Sequence, residues 1–474
     1  MEIIIIFLIL LALYSMNKIK NGSSFDINGW KYISIKGRPT ERGYAYGYLC
    51  ASEFKEIQRM LKFYIPETYG KEWSELIRLI HYDFYELTKN EYPELFDEMQ
   101  GIVDGCNANK CKTDINEIIA WNFFLSISYW LPSVDPTKKV VAKDKCSAFM
   151  AVGDYTKDGK IVVAHNSFSE YIDGQYANVV LDIQPPKGKG HRIIMQTSPC
   201  WIWSGTDFFV TSKGIIGTET TIGGFQVYEK KNNVPVCYRI REAMQYGNSL
   251  DDYVDILLDG NSGDYANSWL LGDTRKNEIM RFELGLKYHS VKRTKNGYFI
   301  GFNAAYDPKI RNLECKDSGF SDIRRHQGAR NVRLTELMDK YKGKLDIETA
   351  KIIIADHYDV YLEKENAPCS RSVCSHYNLD SMEYSKQIEG DPYLPKGACD
   401  GIVCDTKMAK QMSFAGIFGS SCGLKFIAKD FFELRPQWSR FEPYVKDMPS
   451  QPWTIFPIIK SRLNKTKTKK KKRR

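Results

Sequence analysis

The chain carries none of the short motifs that announce nucleotide or metalloprotease chemistry. G-x-x-x-x-G-K-[ST], G-x-G-x-x-G and H-E-x-x-H are all absent. This excludes a phosphate-cradling loop, a dinucleotide-binding turn and a two-histidine zinc helix as local features. Histidine is scarce, seven in 474 residues, and no two cysteines stand in C-x2-C spacing. A sequence-local zinc site has only Cys374 and His376 close together, so zinc is not expected. No internal repeat and no long Gly/Ser linker divides the chain. Past residue 16 no apolar run approaches the ~18–20 residues that a membrane span needs. With 43% hydrophobic and 13% aromatic residues, the chain is rich enough in core formers to exclude a disordered class.

A basic surface is also largely missing, despite a formal net charge of +9. Ten positive charges and no acid lie between Lys460 and Arg474, so the chain upstream sums to about −1 (9 − 10). Residues 459–474 read as a disordered basic tail that can bind an anionic surface. A specific nucleic-acid partner is not expected.

Ile3 to Tyr14 is an unbroken apolar run followed by Lys18 and Lys20. Its length suits a signal peptide over residues 1–16, although Glu2 replaces a basic n-region and no A-x-A site follows. The expectation is a secreted or lysosome-like location, with a membrane anchor formed by residues 3–16 as the alternative. In a secreted chain, Asn21-Gly22-Ser23 and Asn464-Lys465-Thr466 are glycosylation sequons at Asn21 and Asn464. The twelve cysteines fit that compartment. Cys106/Cys111, Cys369/Cys374 and Cys399/Cys404 are spaced as disulfides closing short loops.

Residues 40–106 repeat apolar positions at three-to-four spacing, with Gly105 as the expected stop, and Asp114–Tyr129 is a second helical stretch. A helical N-terminal segment, 17–131, thus precedes an exposed, lysine-rich connector, 132–145. The pattern then changes to strands. CSAFMAV and KIVVAHNSF flank GDYTKDG, a hairpin with Asp158-Gly159 in the turn. Strand-like runs follow at Asn178–Ile183, Arg192–Gln196, Phe208–Thr211, Trp269–Leu271, Glu278–Phe282 and Tyr298–Phe302. Helices are expected at Val236–Tyr246, Leu250–Leu258, Gln327–Lys340 and Ile347–Asp356. Helices, then strands, then mixed structure indicate a layered α+β fold with its core over 146–458.

Three nucleophile arrangements can be weighed. Gly419-Ser420-Ser421-Cys422-Gly423 satisfies G-x-S-x-G, but that elbow needs a histidine downstream, and the last one is His376. It reads as a glycine-rich turn. Cys146 with His357 or His376 has papain-like order without the local signature. The third reading uses the junction: a cut between Lys145 and Cys146 would leave a thiol and an α-amine on one residue. The amine, with a reference pKa near ~7.7–8.0, can serve as base for its own side chain. The hairpin brings His165, Asn166 and Ser167 alongside. A plain buried cysteine at a strand start is the competing reading.

The segment DKCSAFMAVGDYTKDGKIVVAHNSFSEY resembles the nucleophile region of the phospholipase B-like proteins, N-terminal-nucleophile (Ntn) hydrolases related to penicillin acyltransferase-type cysteine peptidases. WSGTDFF (Trp203–Phe209), GTETTIGG (Gly217–Gly224) and SGDYANSWLLGD (Ser262–Asp273) follow in the family's order. So do CSRSVC (Cys369–Cys374), GACDGIVCD (Gly397–Asp405) and PQWSRFEPY (Pro436–Tyr444). Upstream, YPELFDEMQGIVDG (Tyr92–Gly105) is similar to the helix before the nucleophile in the acyltransferase branch.

The resemblance implies an αββα Ntn sandwich, autocatalytic cleavage at Lys145–Cys146, and Cys146 as nucleophile with Asn267 as oxyanion donor. It places His165 and Asn166 beside the nucleophile, Asp207, Glu219 and Thr220 as positioning residues, and Arg371 as an active-site arginine. The implied substrate is an acyl ester or amide, phospholipid or N-acyl lipid in type, the implied partner is the chain's own N-terminal fragment, and no metal or organic cofactor is implied. Phe168 stands where the family has tryptophan, and Ala266-Asn267-Ser268 departs from its Asn-Asn-Gln. The alternatives are an inactive family member acting as a binding or structural protein, and an unprocessed Cys/His hydrolase.

Overall fold

The computed structural model describes residues 17–140, 146–231, 233–381 and 393–457. The apolar run 1–16, Lys145, Asn464 and the basic tail lie outside the described residues.

The strands are numbered along the chain. Before the connector come β1 (Asn17–Ile19), β2 (Gly22–Ile27) and β3 (Trp30–Lys36). The hairpin follows as β4 (Cys146–Val152) and β5 (Val162–Glu170). Then come β6 (Val179–Gln184), β7 (Ile193–Thr197), β8 (Phe208–Thr211) and β9 (Ile215–Thr221). Next are β10 (Asn267–Asp273), β11 (Glu278–Leu284), β12 (His289–Thr294) and β13 (Gly297–Gly301). The last four are β14 (Lys396–Ala398), β15 (Asp400–Asp405), β16 (Phe414–Phe418) and β17 (Thr454–Phe456).

Two sheets stack face to face. The larger has the order β1-β2-β3-β6-β7-β8-β9-β10-β11-β12, and the smaller β13-β4-β5-β15-β16-β17 with β14 beside β5. Helices Pro39–Tyr69 and Leu250–Leu258 pack on the larger sheet, and His326–Lys340 and Ile347–Ile354 on the smaller. This is an αββα sandwich. Covered on both faces, the central strands VVLDIQ, IIMQT and FFVT are buried along nearly their whole length, which is why they read as apolar runs without alternation. The edge strand β12, HSVKRT, is half-exposed and charged, which discourages pairing with another chain.

The segment expected to be helical over 17–131 opens instead with three strands. Among the named strands β3 makes the only parallel ladder, on β6, so residues N-terminal to the connector are built into the larger sheet. β1 and β2 are short and partly exposed, whereas β3 is mostly buried between β2 and β6. Gly105 does not stop its helix, which runs Pro93–Ala108. It lies instead on a seam: Gly43 and Gly47 of Pro39–Tyr69 face Gly101 and Gly105. A Cβ at Gly47 would stand 2.1 Å from the Ile102 carbonyl oxygen, and one at Gly105 2.1 Å from that of Tyr44. Only bare backbone permits so close a crossing. The long helix is closed by Gly70 in the left-handed region, whose N–H donates to Pro66 O.

No disulfide joins any of the twelve cysteines, so the expected loop disulfides are not formed. Cys399 directly precedes β15 and Cys404 lies near its far end, and they donate to Gly397 O and Ser413 O respectively. Cys369 turns to Asp359 at 3.4 Å while Cys374 faces histidine. Among the described residues no helix is long and apolar enough to cross a membrane.

Candidate active site

Strand alternation sets the site. Along β4, Ala148, Met150 and Val152 enter the core between the sheets, whereas Phe149 and Ala151 enter the core beneath the outer helices. Cys146 shares the inter-sheet face and is 0% exposed. Its cross-strand partner is Ser167, and His165 lies opposite Ala148, so both belong to that face. Ligand atoms of Cys146, His165 and Asp207 all fall within 4.8 Å of one another.

Both ends of the Cys146 peptide unit are held. Its N–H donates to Asn303 Oδ1 at 3.2 Å, and its carbonyl accepts from Arg330 Nη1. Arg330 also donates to Asn303 Oδ1 at 2.8 Å and to Ser147 Oγ at 3.1 Å. Asn303 in turn donates to Thr221 O at 2.8 Å. The thiol donates to Asp207 Oδ2 at 3.3 Å. Asn303 and Asp207 both adopt left-handed backbone, φ 65° and 72°, a conformation that short polar side chains tolerate and that recurs at functional sites.

Three carboxylates surround the thiol. Burial, then Asp207, Glu219 and Asp400, push the Cys146 thiol well above its ordinary pKa, so it rests protonated. Asp400 accepts from Ser167 N–H at 3.0 Å, from Ser167 Oγ, and from Gln196 Nε2 at 2.8 Å. Burial outweighs these donors and raises its pKa to about 6. With its amide nitrogen turned towards Glu219, Asn267 donates to Glu219 Oε2 at 2.6 Å and to Ala266 O at 3.0 Å. Tyr265 donates to the other Glu219 oxygen at 3.2 Å. Beside Ser167 and Asp207 a narrow cavity is walled by Trp121, Phe124, Leu125 and Trp201.

Residues 93–285 match the Phospholipase B family model. Over that segment the chain is similar to the phospholipase B-like proteins. It is 26% identical over 286 residues to phospholipase B of Crotalus adamanteus, covering 55% of this chain and 49% of that one. To phospholipase B-like 1 of Homo sapiens it is 23% identical over 365 residues, covering 70% and 62%. The first of these matches spans about half of its relative's length. Among solved structures, a conjugated bile acid hydrolase of Clostridium perfringens aligns at TM-score 0.33 and 10% identity, over 57% of this chain and 88% of that one.

The residues named from sequence separate into two groups. Cys146, His165 and Asp207 converge, and Glu219 joins them with Asn267 attached to it. Asn166 does not: one residue out of phase on β5, it crosses to the outer face and donates to Ile354 O at 2.8 Å and Ser421 Oγ at 3.2 Å. Thr220 likewise points away from Glu219 and packs where Gly301 leaves room. Arg371 is buried against Asp359, its Nη2 2.6 Å from Oδ2. His357 and His376 face each other, Nε2 to Nε2 at 3.1 Å, so neither pairs with Cys146 as a papain-like reading requires. Asn21 occupies the β1–β2 turn with φ 66°. Asn303, Arg330 and Asp400 were missed. Asp400 sits in the quoted GACDGIVCD segment, whereas Asn303 and Arg330 gave no signal beyond a polar residue after a strand and an arginine within an amphipathic helix.

Burial holds the His165 imidazole neutral, lowering its pKa from 6.5 to about 3, with the backbone of Glu219 opposing. The unfolded chain therefore binds the extra proton first, and this contribution to stability is lost as pH falls below 6.5. Asp400 acts in the opposite sense, gaining stability as pH falls through about 6. His165→Gln removes the titrating group. Between pH 6.5 and about 4.5 the wild type is expected to lose roughly 2–3 kcal/mol that the variant keeps. Urea unfolding at both pH values checks this, and parallel losses in the two proteins would exclude a buried neutral imidazole.

Proposed function

We propose that this chain is an autoprocessed hydrolase of acyl ester or amide bonds, with Cys146 as its N-terminal nucleophile. One observation carries the reading: a fully buried thiol on the first residue of a central strand, hydrogen-bonded to Asp207 while its own backbone nitrogen is held by Asn303. In the uncut chain Sγ attacks the carbonyl carbon of Lys145 and its proton passes to Asp207. The C–N bond breaks, Cys146 nitrogen takes the proton back, and a thioester forms. Water then hydrolyses the thioester, releasing the carboxylate and the free thiol. The new α-amine keeps Asn303 Oδ1 as its acceptor.

In turnover that amine takes the Sγ proton, the thiolate attacks the substrate carbonyl, and the amine returns the proton to the leaving alcohol or amine. Water completes the cycle. Asn267, after turning from Glu219, serves as oxyanion donor, an interaction of ~3–4 kcal/mol. The wall of Trp121, Phe124, Leu125 and Trp201 suits an acyl chain. The N-terminal fragment stays bound after the cut, because the β3–β6 ladder does not involve the severed bond. A signal-directed secreted or lysosome-like location, glycosylation at Asn21, and tail-mediated adsorption to anionic lipid complete the proposal.

The test is intact mass and N-terminal sequencing of matured protein. Fragments of about one-third and two-thirds, the larger beginning at Cys146, are expected. A matured chain that stays whole while hydrolysing acyl substrates would overturn the N-terminal mechanism.

A further inference from the structure

On the far side of β5 from the nucleophile, four side chains that the hydrolytic reading does not use come together. They are His357, Cys374 and His376 from the segment after helix Ile347–Ile354, and Cys422 from the turn after β16. Their ligand atoms lie within 4.8 Å of one another. His376 Nε2 is 3.1 Å from His357 Nε2, 3.4 Å from Cys374 Sγ and 3.5 Å from Cys422 Sγ.

We propose that His357, Cys374, His376 and Cys422 form a closed, tetrahedral zinc site that ties these two segments together. Around zinc, with Zn–N of about 2.0–2.1 Å and Zn–S of about 2.3 Å, tetrahedral edges are about 3.3 Å between nitrogens and about 3.6 Å between nitrogen and sulfur. The three measured edges match. A single Nε2 offers one lone pair or one proton, so it can satisfy only one of its three close neighbours by hydrogen bonding. A cation at the common centre satisfies all four ligands at once.

The surroundings fit ligation. Cys374 is fully buried and His376 nearly so. Leu424 N–H lies 3.4 Å from Cys422 Sγ, and Ser421 Oγ 3.3 Å from Cys374 Sγ, both placed to donate to a thiolate. His376 N–H donates to Cys369 O at 3.0 Å and Cys374 N–H to Asp356 O at 3.1 Å, fixing the segment's path. All four vertices are protein ligands, so the site has no open position and is structural. The sequence conceals it because the ligands are dispersed from 357 to 422 and only Cys374 and His376 are near neighbours.

The experiment uses the full chain, reduced, equilibrated with zinc, desalted and analysed for bound metal. About one zinc per chain is expected, falling below about a fifth in Cys374→Ser/Cys422→Ser and in His376→Ala. Cys146→Ala, which alters the other cysteine–histidine cluster, is expected to retain the metal. A wild-type cobalt form with thiolate-to-cobalt charge-transfer absorption of two-thiolate intensity supports the site even if a variant fails to fold. A folded, reduced wild type that holds no zinc, or peptide mapping that finds a Cys374–Cys422 disulfide in protein isolated without oxidation, overturns it.

Discussion

Cys146→Ala is expected to yield a single uncut chain with acyl hydrolysis reduced by roughly 10⁴–10⁶-fold, the scale seen when a covalent nucleophile is removed. Both effects trace to one sulfur, because the thiol that would attack the Lys145 carbonyl is the one that would attack substrate. The substitution removes the contact to Asp207 but leaves the N–H to Asn303 and the carbonyl to Arg330 in place. The fold should therefore persist, and thermal unfolding close to wild type is the control. Mass and N-terminal sequence read the cut, and release of fatty acid or amine from a soluble acyl substrate reads turnover. Retained hydrolysis in a folded Cys146→Ala protein would remove this cysteine from the mechanism. Loss of the cut and of turnover would set aside the binding-protein alternative.

The second large effect is on stability. Glu98→Ala is expected to destabilise the protein by about 3–5 kcal/mol, because it strands two buried guanidinium groups. Glu98 is fully buried and accepts from Arg42 Nε at 2.6 Å and from Arg241 at 3.1 and 2.8 Å. Arg42 has a second carboxylate partner in Glu94, but among the described residues Arg241 has only Ile202 O and Gln245 besides. The cluster joins helices Pro39–Tyr69, Pro93–Ala108 and Val236–Tyr246, so it couples the segment before the connector to the segment after it. Burial raises the Glu98 pKa, yet Arg241 and Arg42 outweigh it and hold the carboxyl below its usual range. Its contribution is thus present above the unfolded value of 4.5 and lost as pH falls through the lower folded value. Urea midpoints at neutral pH test the magnitude. A change under about 1 kcal/mol would show that the arginines find other partners.

What was legible depended on range in the chain. The β4–β5 hairpin was readable because both strands, the Asp158-Gly159 turn and its left-handed Gly159 are local. Helices Val236–Tyr246 and Leu250–Leu258 matched their apolar period over their whole length. Cys146 stood out as the residue where a polar connector meets a strand. Strands β1–β3 did not, since the larger sheet beside them makes them strands. The seam of Gly43, Gly47, Gly101 and Gly105 was equally hidden, because each glycine is explained only by the backbone of the facing helix.

The sequence by itself determined a set of candidate residues around Cys146, the hairpin that brings His165 and Ser167 next to it, and a near-neutral body with its basic charge confined to the last residues. Tertiary structure alone decided which of those residues meet. Strand phase sends His165 inward and Asn166 outward although they are neighbours, and chain crossings bring Asn303, Arg330 and Asp400 to the surroundings of Cys146 from more than a hundred residues away. The scarcity of histidine carries the same lesson. Local spacing found no pair of histidines to hold a metal, yet folding places His357 and His376 3.1 Å apart with two thiols around them. A ligand set is a property of distances in space, and spacing along the chain reports those only where the segment is short and regular.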